Sequence, residues 1–244
     1  MTTDRITTIT IDAPPVNAVG PDGWKQLEDA VDDASNDKEV RAVVLTGTNG
    51  RFCAGADISL LAEPQDEDAF MLKLVGRAAA AIRRCRVPVI AAIDGPAHGG
   101  GLEIALACDI SVISNGATFA ASGINMGLIA SVPALTEAIG TTRAAMMLLT
   151  GKPVDADQAV AWSLATLTSD DPLVQARSIA HEISDKAPLS VEANKLALAS
   201  VGFVTPDEHS AVITELFSSL EKSADHKEAV DAFLNKRPPT FQRR

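Results

Sequence analysis

Over its first two thirds, the chain alternates between short runs of β-branched residues and longer segments with apolar residues at helical spacing. Such runs, when turn residues follow them, are typical of strands. Strands are predicted at 6–11, 40–47, 87–93, 109–114 and 118–120. Helices are predicted at 21–35, 70–86, 102–108, 133–149 and 154–163. The fourth helix is expected to break at Gly140–Thr141, and Asp155 is expected to cap the fifth.

Beyond residue 172 the spacing of apolar residues is helical throughout, and further helices are predicted at 173–186, 189–201, 206–221 and 224–235. Strands that alternate with helices, followed by a helical tail, predict an α/β fold with an appended α region. We therefore expect a core over residues 1–190 and a C-terminal helical region over residues 191–244. An acidic, proline-bearing segment at 63–68 predicts an exposed loop.

Composition narrows the class of protein. The 244 residues suit one large domain, or one domain with a small appendage. A formal net charge of -11 and a pI near 4.8 argue against nucleic acid or an anionic membrane as the partner. The three cysteines, Cys53, Cys85 and Cys108, lack metal-ligand spacing and fit a reducing compartment. Because Met1–Asp4 lack a basic, apolar signal and no apolar run is of membrane-spanning length, we expect a cytoplasmic protein.

The stretch from Ala92 to Asp109 carries the chemistry that stands out. A buried strand is broken by Asp94-Gly95-Pro96, three glycines follow His98, and an almost wholly apolar helix begins. Free N–H groups at such a turn, together with the helix dipole, favour developing negative charge. Glu103 lies in the first turn of this apolar helix, where a carboxylate needs a partner or a task. The alternative is a tight packing turn whose helix merely favours a nearby carboxylate.

Two other features bear on the ligand. No Lys-Ser or Lys-Thr follows the glycines, so a phosphate-binding P-loop is disfavoured. Arg83, Arg84 and Arg86 lie near the end of the helix predicted at 70–86, where the dipole favours cations, and a structural role is expected for them.

In order and spacing, motifs along nearly the whole chain resemble the crotonase family, also called the enoyl-CoA hydratase/isomerase family. The strongest match is Ala97-His98-Gly99-Gly100-Gly101-Leu102-Glu103 with Cys108-Asp109. Other matching segments are 15–18, 43–47, 52–58, 88–95, 148–151, 156–163 and 233–241. The resemblance implies an α/β fold built as a spiral of ββα units, with C-terminal helices that form the contact in a homotrimer or a dimer of trimers.

The resemblance also implies an acyl-CoA thioester as substrate, with coenzyme A as part of it and no separate cofactor or metal. Two backbone N–H groups would form an oxyanion hole for the thioester enolate, and by position these belong to Ala56 and Gly100. Each such donor is worth about 3 kcal/mol in the transition state. Further implied contacts with the substrate or CoA are Ala54, Asp57, Ile58, Gly123 and Lys236. For Lys236 and its neighbour Arg237 the alternative is a solvated tail.

Family hydratases use two glutamates, and the resemblance assigns Glu103 to the first, which deprotonates the attacking water. The second position, twenty residues later, holds Gly123, so the usual proton donor to Cα is missing. An enoyl-CoA hydratase that works through Glu103 alone is the main hypothesis. His98 is a candidate substitute acid-base group. The alternatives are another crotonase reaction (isomerase, decarboxylase or thioesterase) and an acyl-CoA-binding protein without catalysis.

Overall fold

The structure, a computed structural model, describes residues 5–62, 69–129, 131–201 and 204–244. The acidic loop predicted at 63–68 and the N-terminal residues Met1–Asp4 lie outside these residues. Strands are β1 (Ile6–Ile11), β2 (Ala18–Val19), β3 (Ala42–Gly47), β4 (Gly55–Ala56), β5 (Val89–Ile93), β6 (Pro96–His98), β7 (Ile110–Ile113), β8 (Thr118–Ala120) and β9 (Leu167–Thr168).

The helices confirm the predicted segments to within about two residues. They are α1 (Pro21–Asn36), α2 (Phe70–Arg84), α3 (Gly100–Ala107), α4 (Val132–Thr150), α5 (Ala156–Ala161), α6 (Pro172–Ser184), α7 (Pro188–Ser200), α8 (Pro206–Glu221) and α9 (Ala224–Leu234). Short 3-10 helices cover Ile58–Ala62 and Ser122–Met126. The break in α4 is confirmed at Gly140, whose backbone is not helical, and Asp155 caps α5 by accepting a hydrogen bond from the N–H of Gln158.

A five-stranded parallel sheet in the order β1-β3-β5-β7-β9 forms the centre of the fold. The three inner strands, β3, β5 and β7, are buried on both faces, as continuous apolar runs require in a parallel sheet. Val44 pairs with Ile90, and both side chains lie in the cluster that includes Ala176 of α6. The next pair, Leu45 and Ala91, faces the larger core that α1, α2 and α3 cover on the opposite side.

Each turn of the fold adds one long strand, one short strand and one helix, which is the ββα repeat that the resemblance implied. The short strands pair with one another outside the main sheet, β2 with β4 and β6 with β8, both in parallel. A bridge between Cys53 and Ala97 joins the two pairs. This second layer carries both glycine-containing turns, so successive repeats bring them side by side.

Helices α7, α8 and α9 follow the last repeat as a helical region. The division expected at residues 190 and 191 falls inside α7, and the division of the chain into these two domains stays a prediction. Among the residues that the structure describes, no helix combines the length and apolar character needed to cross a membrane.

Candidate active site

The glycine turn joins β6 to α3. Gly99 has a φ of +52°, which side-chain-bearing residues rarely adopt, and its N–H donates to Ala120 O at 2.9 Å. This turn lets α3 begin at Gly100, two residues before the predicted start. As the first residue of the helix, Gly100 has no intrahelical acceptor for its N–H. Gly101 is buried against the Cys53 carbonyl, and a Cβ there would lie only 2.1 Å from that oxygen.

The turn from Cys53 to Asp57 lies directly against this helix start. A Cβ on Gly55 would lie 2.9 Å from the Gly100 nitrogen and 2.9 Å from the His98 carbonyl oxygen, so the two backbones touch. His98 N–H donates to Cys53 O at 3.0 Å and fixes their register. Burial raises the pKa of the Cys53 thiol to about 12, so this thiol stays protonated and acts as a packing group.

The amides of Ala56 and Gly100 therefore lie on adjoining backbones. Asp57 N–H donates to Val19 O at 3.0 Å, within the pairing of β4 with β2. Because consecutive N–H groups of a strand point to opposite sides, the N–H of Ala56 faces away from β2. Both Ala56 and Gly100 are partly exposed, so a ligand can reach their backbones. Their assignment as an oxyanion hole stays a prediction.

Asn17, for which no role of its own is predicted from the sequence, anchors the turn that carries Ala56. It is buried and has a φ of +56°, which asparagine tolerates better than most residues. Its side-chain amide donates to Arg51 O at 2.7 Å, and its carbonyl oxygen accepts from Ala13 N–H at 3.0 Å. Its backbone carbonyl accepts from Ala54 N–H at 3.1 Å. The one feature of the local sequence that could have indicated this role is an asparagine directly after a Pro-Val pair.

Glu103 lies one helical turn after Gly100, so the two residues share a face of α3. Its side chain is 18% exposed and therefore largely buried. One oxygen lies 4.0 Å from a guanidinium nitrogen of Arg83, at the end of α2. Sequence reasoning gave Arg83 only a helix-end role, because a pairing between α2 and α3 leaves no mark in the local pattern.

The segment around Gly123 lies beside the glycine turn. Ser122 begins the 3-10 helix, and a Cβ on Gly99 would lie 3.2 Å from its hydroxyl oxygen. Gly123 itself is partly exposed and carries no functional group. The hydroxyl of Ser122 and the amide of Asn125, three residues later, are polar but cannot replace a carboxylic acid as proton donor.

The His98 ring is bound to its neighbouring strand. Its Nε2 lies 3.0 Å from the Thr118 hydroxyl oxygen, across the β6–β8 pair. Burial lowers the pKa of His98 below its usual value, which favours the neutral ring at neutral pH. The described contacts of the ring do not include Glu103. The role of His98 as a substitute acid-base group stays a prediction.

The other predicted contacts lie at the edge of the site or away from it. Ala54 is partly buried in the first turn, and Asp57 accepts hydrogen bonds from the backbone and hydroxyl of Ser59 at 3.0 and 2.7 Å. Ile58 follows with an exposed side chain. Lys236 lies exposed just after α9, and none of its described contacts reaches either turn.

Arg237 is paired within its own helical region. Its guanidinium donates to Glu228 at 2.6 and 2.8 Å and to Asp231 at 2.6 Å, so it is not a free cation in this structure. Among the described residues, no group of three or more histidine, cysteine, aspartate or glutamate side chains is arranged to hold a metal ion. Backbone amides of the two turns and the Glu103 carboxylate on α3 lie in this region.

The fold and the site together define the class of protein. The fold is a spiral of ββα units around a parallel sheet, and two glycine turns in backbone contact lie next to a glutamate on a helix. The family model described as enoyl-CoA hydratase/isomerase matches residues 2–244. The chain belongs to this family, which confirms the crotonase resemblance.

Named relatives cover the chain almost completely. The chain is 33% identical to (E)-benzylidenesuccinyl-CoA hydratase of Thauera aromatica, over 98% of this chain and 96% of that protein. It is 31% identical to short-chain-enoyl-CoA hydratase of Clostridium acetobutylicum, over 96% of this chain and 92% of that protein. Among solved structures, a probable enoyl-CoA hydratase/isomerase from Mycobacterium abscessus superposes with a TM-score of 0.89 at 33% identity, covering 100% of this chain and 97% of that one.

Proposed function

We propose that the protein is an enoyl-CoA hydratase that adds water across the 2,3-double bond of an enoyl-CoA thioester. The observation that carries the proposal is the backbone contact between Gly55 and Gly100, and it supports an oxyanion hole because Ala56 directly follows Gly55 in the chain. Glu103, on the same helix face as Gly100, supplies a carboxylate on α3 beside the glycine turn. Relatives at about 30% identity that are named enoyl-CoA hydratases support the same reaction class.

In the proposed reaction, the thioester carbonyl accepts hydrogen bonds from the two amides. Glu103 takes a proton from water as the water oxygen bonds to Cβ, and the electron pair of the double bond moves to the thioester oxygen as an enolate. Two backbone donors aimed at that oxygen stabilise it by about 3 kcal/mol each. The enolate collapses as Cα takes a proton, which Glu103 returns through water because Gly123 offers no acid.

The test is turnover of crotonyl-CoA, followed by the loss of its conjugated-enoyl absorbance. We expect Glu103→Gln to lower kcat by about 10²- to 10⁴-fold, the typical contribution of one acid-base group. The control is Glu137→Gln, which changes an exposed glutamate of α4 and should leave the rate unchanged. Equal rates for the wild type and Glu103→Gln would rule out hydration through this residue.

The glycine at position 123 supports a second candidate function. A site without the second carboxylate also fits a different enolate reaction, or acyl-CoA binding without turnover. Mass spectrometry of products from a panel of acyl-CoA thioesters separates these cases. Only 3-hydroxyacyl products support hydration. Isomerised, decarboxylated or hydrolysed products support another reaction, and tight binding with no product supports a binding protein.

We also propose that the C-terminal helical region assembles the chain as a homotrimer or a pair of trimers. Large apolar side chains lie exposed on this region of the single chain, among them Leu198 of α7, Phe217 of α8 and Phe233 of α9. Exposed apolar side chains in such number mark protein contact surfaces. Light scattering at micromolar concentration should give the mass of three or six chains, and a monomer would contradict the proposal.

A further inference from the structure

The carboxylate of Glu103 has an unusual environment for a group expected to carry charge. Its side chain is 18% exposed, and within the described ranges it makes no hydrogen bond. An ionised carboxylate that has lost most of its water is unstable unless a cation or donors replace that water. Across the described part of the chain, the one ion pair that Glu103 forms is with Arg83, at 4.0 Å.

The backbone that carries Arg83 is held in place from the C-terminal region. Arg83 lies in the last turn of α2, directly after Ile82. The buried ammonium of Lys195, on α7, donates to Ile82 O at 3.2 Å and to Val87 O at 3.0 Å. The same ammonium binds Asp109, two residues beyond α3, at 2.7 Å. One side chain therefore ties the end of α2 to the end of α3.

The guanidinium of Arg83 retains capacity for further bonds. It is 43% exposed, and at 4.0 Å it lies beyond hydrogen-bond distance from Glu103. Over the described residues it donates no hydrogen bond, and its one ion pair is the pair with Glu103. A long arginine side chain at this distance acts on the carboxylate by charge, and it leaves the carboxylate oxygens open to accept a bond from water.

We propose that Arg83 is a positioning residue that holds the Glu103 carboxylate in the orientation of a base for water. The inference rests on the proposed hydration and adds to it a group outside the two turns. Where a second carboxylate at position 123 would add negative charge beside Glu103, this chain has Gly123 and a cation on α2.

The test compares Arg83→Gln with Arg84→Gln, because Arg84 is an adjacent, exposed arginine on the same helix end. We expect Arg83→Gln to lower kcat by about 10- to 100-fold with KM within about twofold, since the charge acts on Glu103 and not on substrate binding. Arg83→Lys should restore most of the rate. Arg84→Gln should match the wild type. In the Glu103→Gln background, Arg83→Gln should cause no further loss.

Equal kcat values for Arg83→Gln and Arg84→Gln, or additive losses in the double variant, would overturn the inference while hydration stands. A wild type that turns over no enoyl-CoA would instead overturn the proposed function. In that case the pair is measured in the unliganded protein by a double-mutant cycle of urea unfolding with the same two substitutions. Additive effects there would overturn the Arg83–Glu103 pair itself, and non-additive effects would support it.

Discussion

The paired glycine turns and the C-terminal helices are specified by opposite means. At the turns, backbone packs on backbone: a Cβ on Gly101 would lie 2.1 Å from Cys53 O, and one on Gly55 would lie 2.9 Å from Gly100 N. In the C-terminal helices, large apolar side chains are exposed to solvent, and Phe233 is 83% exposed. The turns depend on the absence of side chains, whereas the helices carry large side chains that the described residues leave exposed.

This difference indicates where the two regions tolerate change. A substitution at the turns has no space, so it displaces the amides that the proposed reaction uses. The tail is attached to the core at a few polar points, such as Lys195 on Asp109 and Glu192 between Arg86 and Arg243. Hydrogen bonds from Arg243 and Arg86 outweigh burial and hold the pKa of Glu192 below its usual value, so this anchor stays charged.

The largest effect is expected from Gly101→Ala. The new methyl group would overlap the Cys53 carbonyl, and neither backbone can move without disturbing the other turn. We expect a loss of at least about 3 kcal/mol in the free energy of unfolding, at the upper end of overpacking costs. Urea denaturation measures it.

Gly76→Ala is the matched control for this prediction. Gly76 is an exposed residue in the middle of α2, and no atom lies within 4 Å of the position of its added Cβ. Alanine is the better helix former there, so the variant should gain about 1 kcal/mol. Similar changes in the two variants would show that the close approach at Gly101 does not constrain the fold.

The sequence predicted the long elements well and the contacts between them poorly. Strand β1 is a run of β-branched residues, and helix α1 repeats apolar residues at helical spacing, so each could be recognised from its local sequence. The two-residue strands β2, β4 and β9 carry no period and were missed. The approach of Arg83 to Glu103 and the bonds of Asn17 to Arg51 join residues 20 and 34 positions apart, and such pairings depend on the assembled fold.

An intermediate effect is expected where the tail is anchored. Lys195→Met keeps the apolar stem but leaves Ile82 O and Val87 O without a donor and Asp109 without its cation. Removing one partner of a buried pair costs about 3 kcal/mol or more, and the partial exposure of Asp109 places the expected loss at or somewhat below about 3 kcal/mol. Urea denaturation at neutral pH measures the loss.

A surface pair provides the comparison for Lys195. Lys25 binds Asp29 at 2.6 Å on the exposed face of α1, four residues apart. Such exposed pairs contribute about 0.5 kcal/mol or less, so Lys25→Met should be nearly neutral. If both lysine variants lose equally little, the polar anchors do not hold the C-terminal region on the core.

The smallest effect is expected at the end of the tail, where it would be local. Hydrogen bonds from the Arg237 guanidinium, and then from Thr240 N–H, lower the pKa of Glu228 from 4.5 to about 2. Because the folded form favours the carboxylate, the contribution is fully present above pH 4.5 and is lost as the pH falls towards 2. The amide proton of Thr240, followed by NMR, should titrate with a midpoint near 2.

Glu228→Gln separates this local titration from general acid unfolding. Its side-chain amide has no charge to lose, so the Thr240 signal should no longer titrate near pH 2. Because Glu228 lies in the exposed tail, signals from the glycine turns should not move with it in the wild type. A Thr240 midpoint near 4.5 would show that Arg237 does not hold the Glu228 carboxylate, and Asp231 would then be the remaining partner of this arginine.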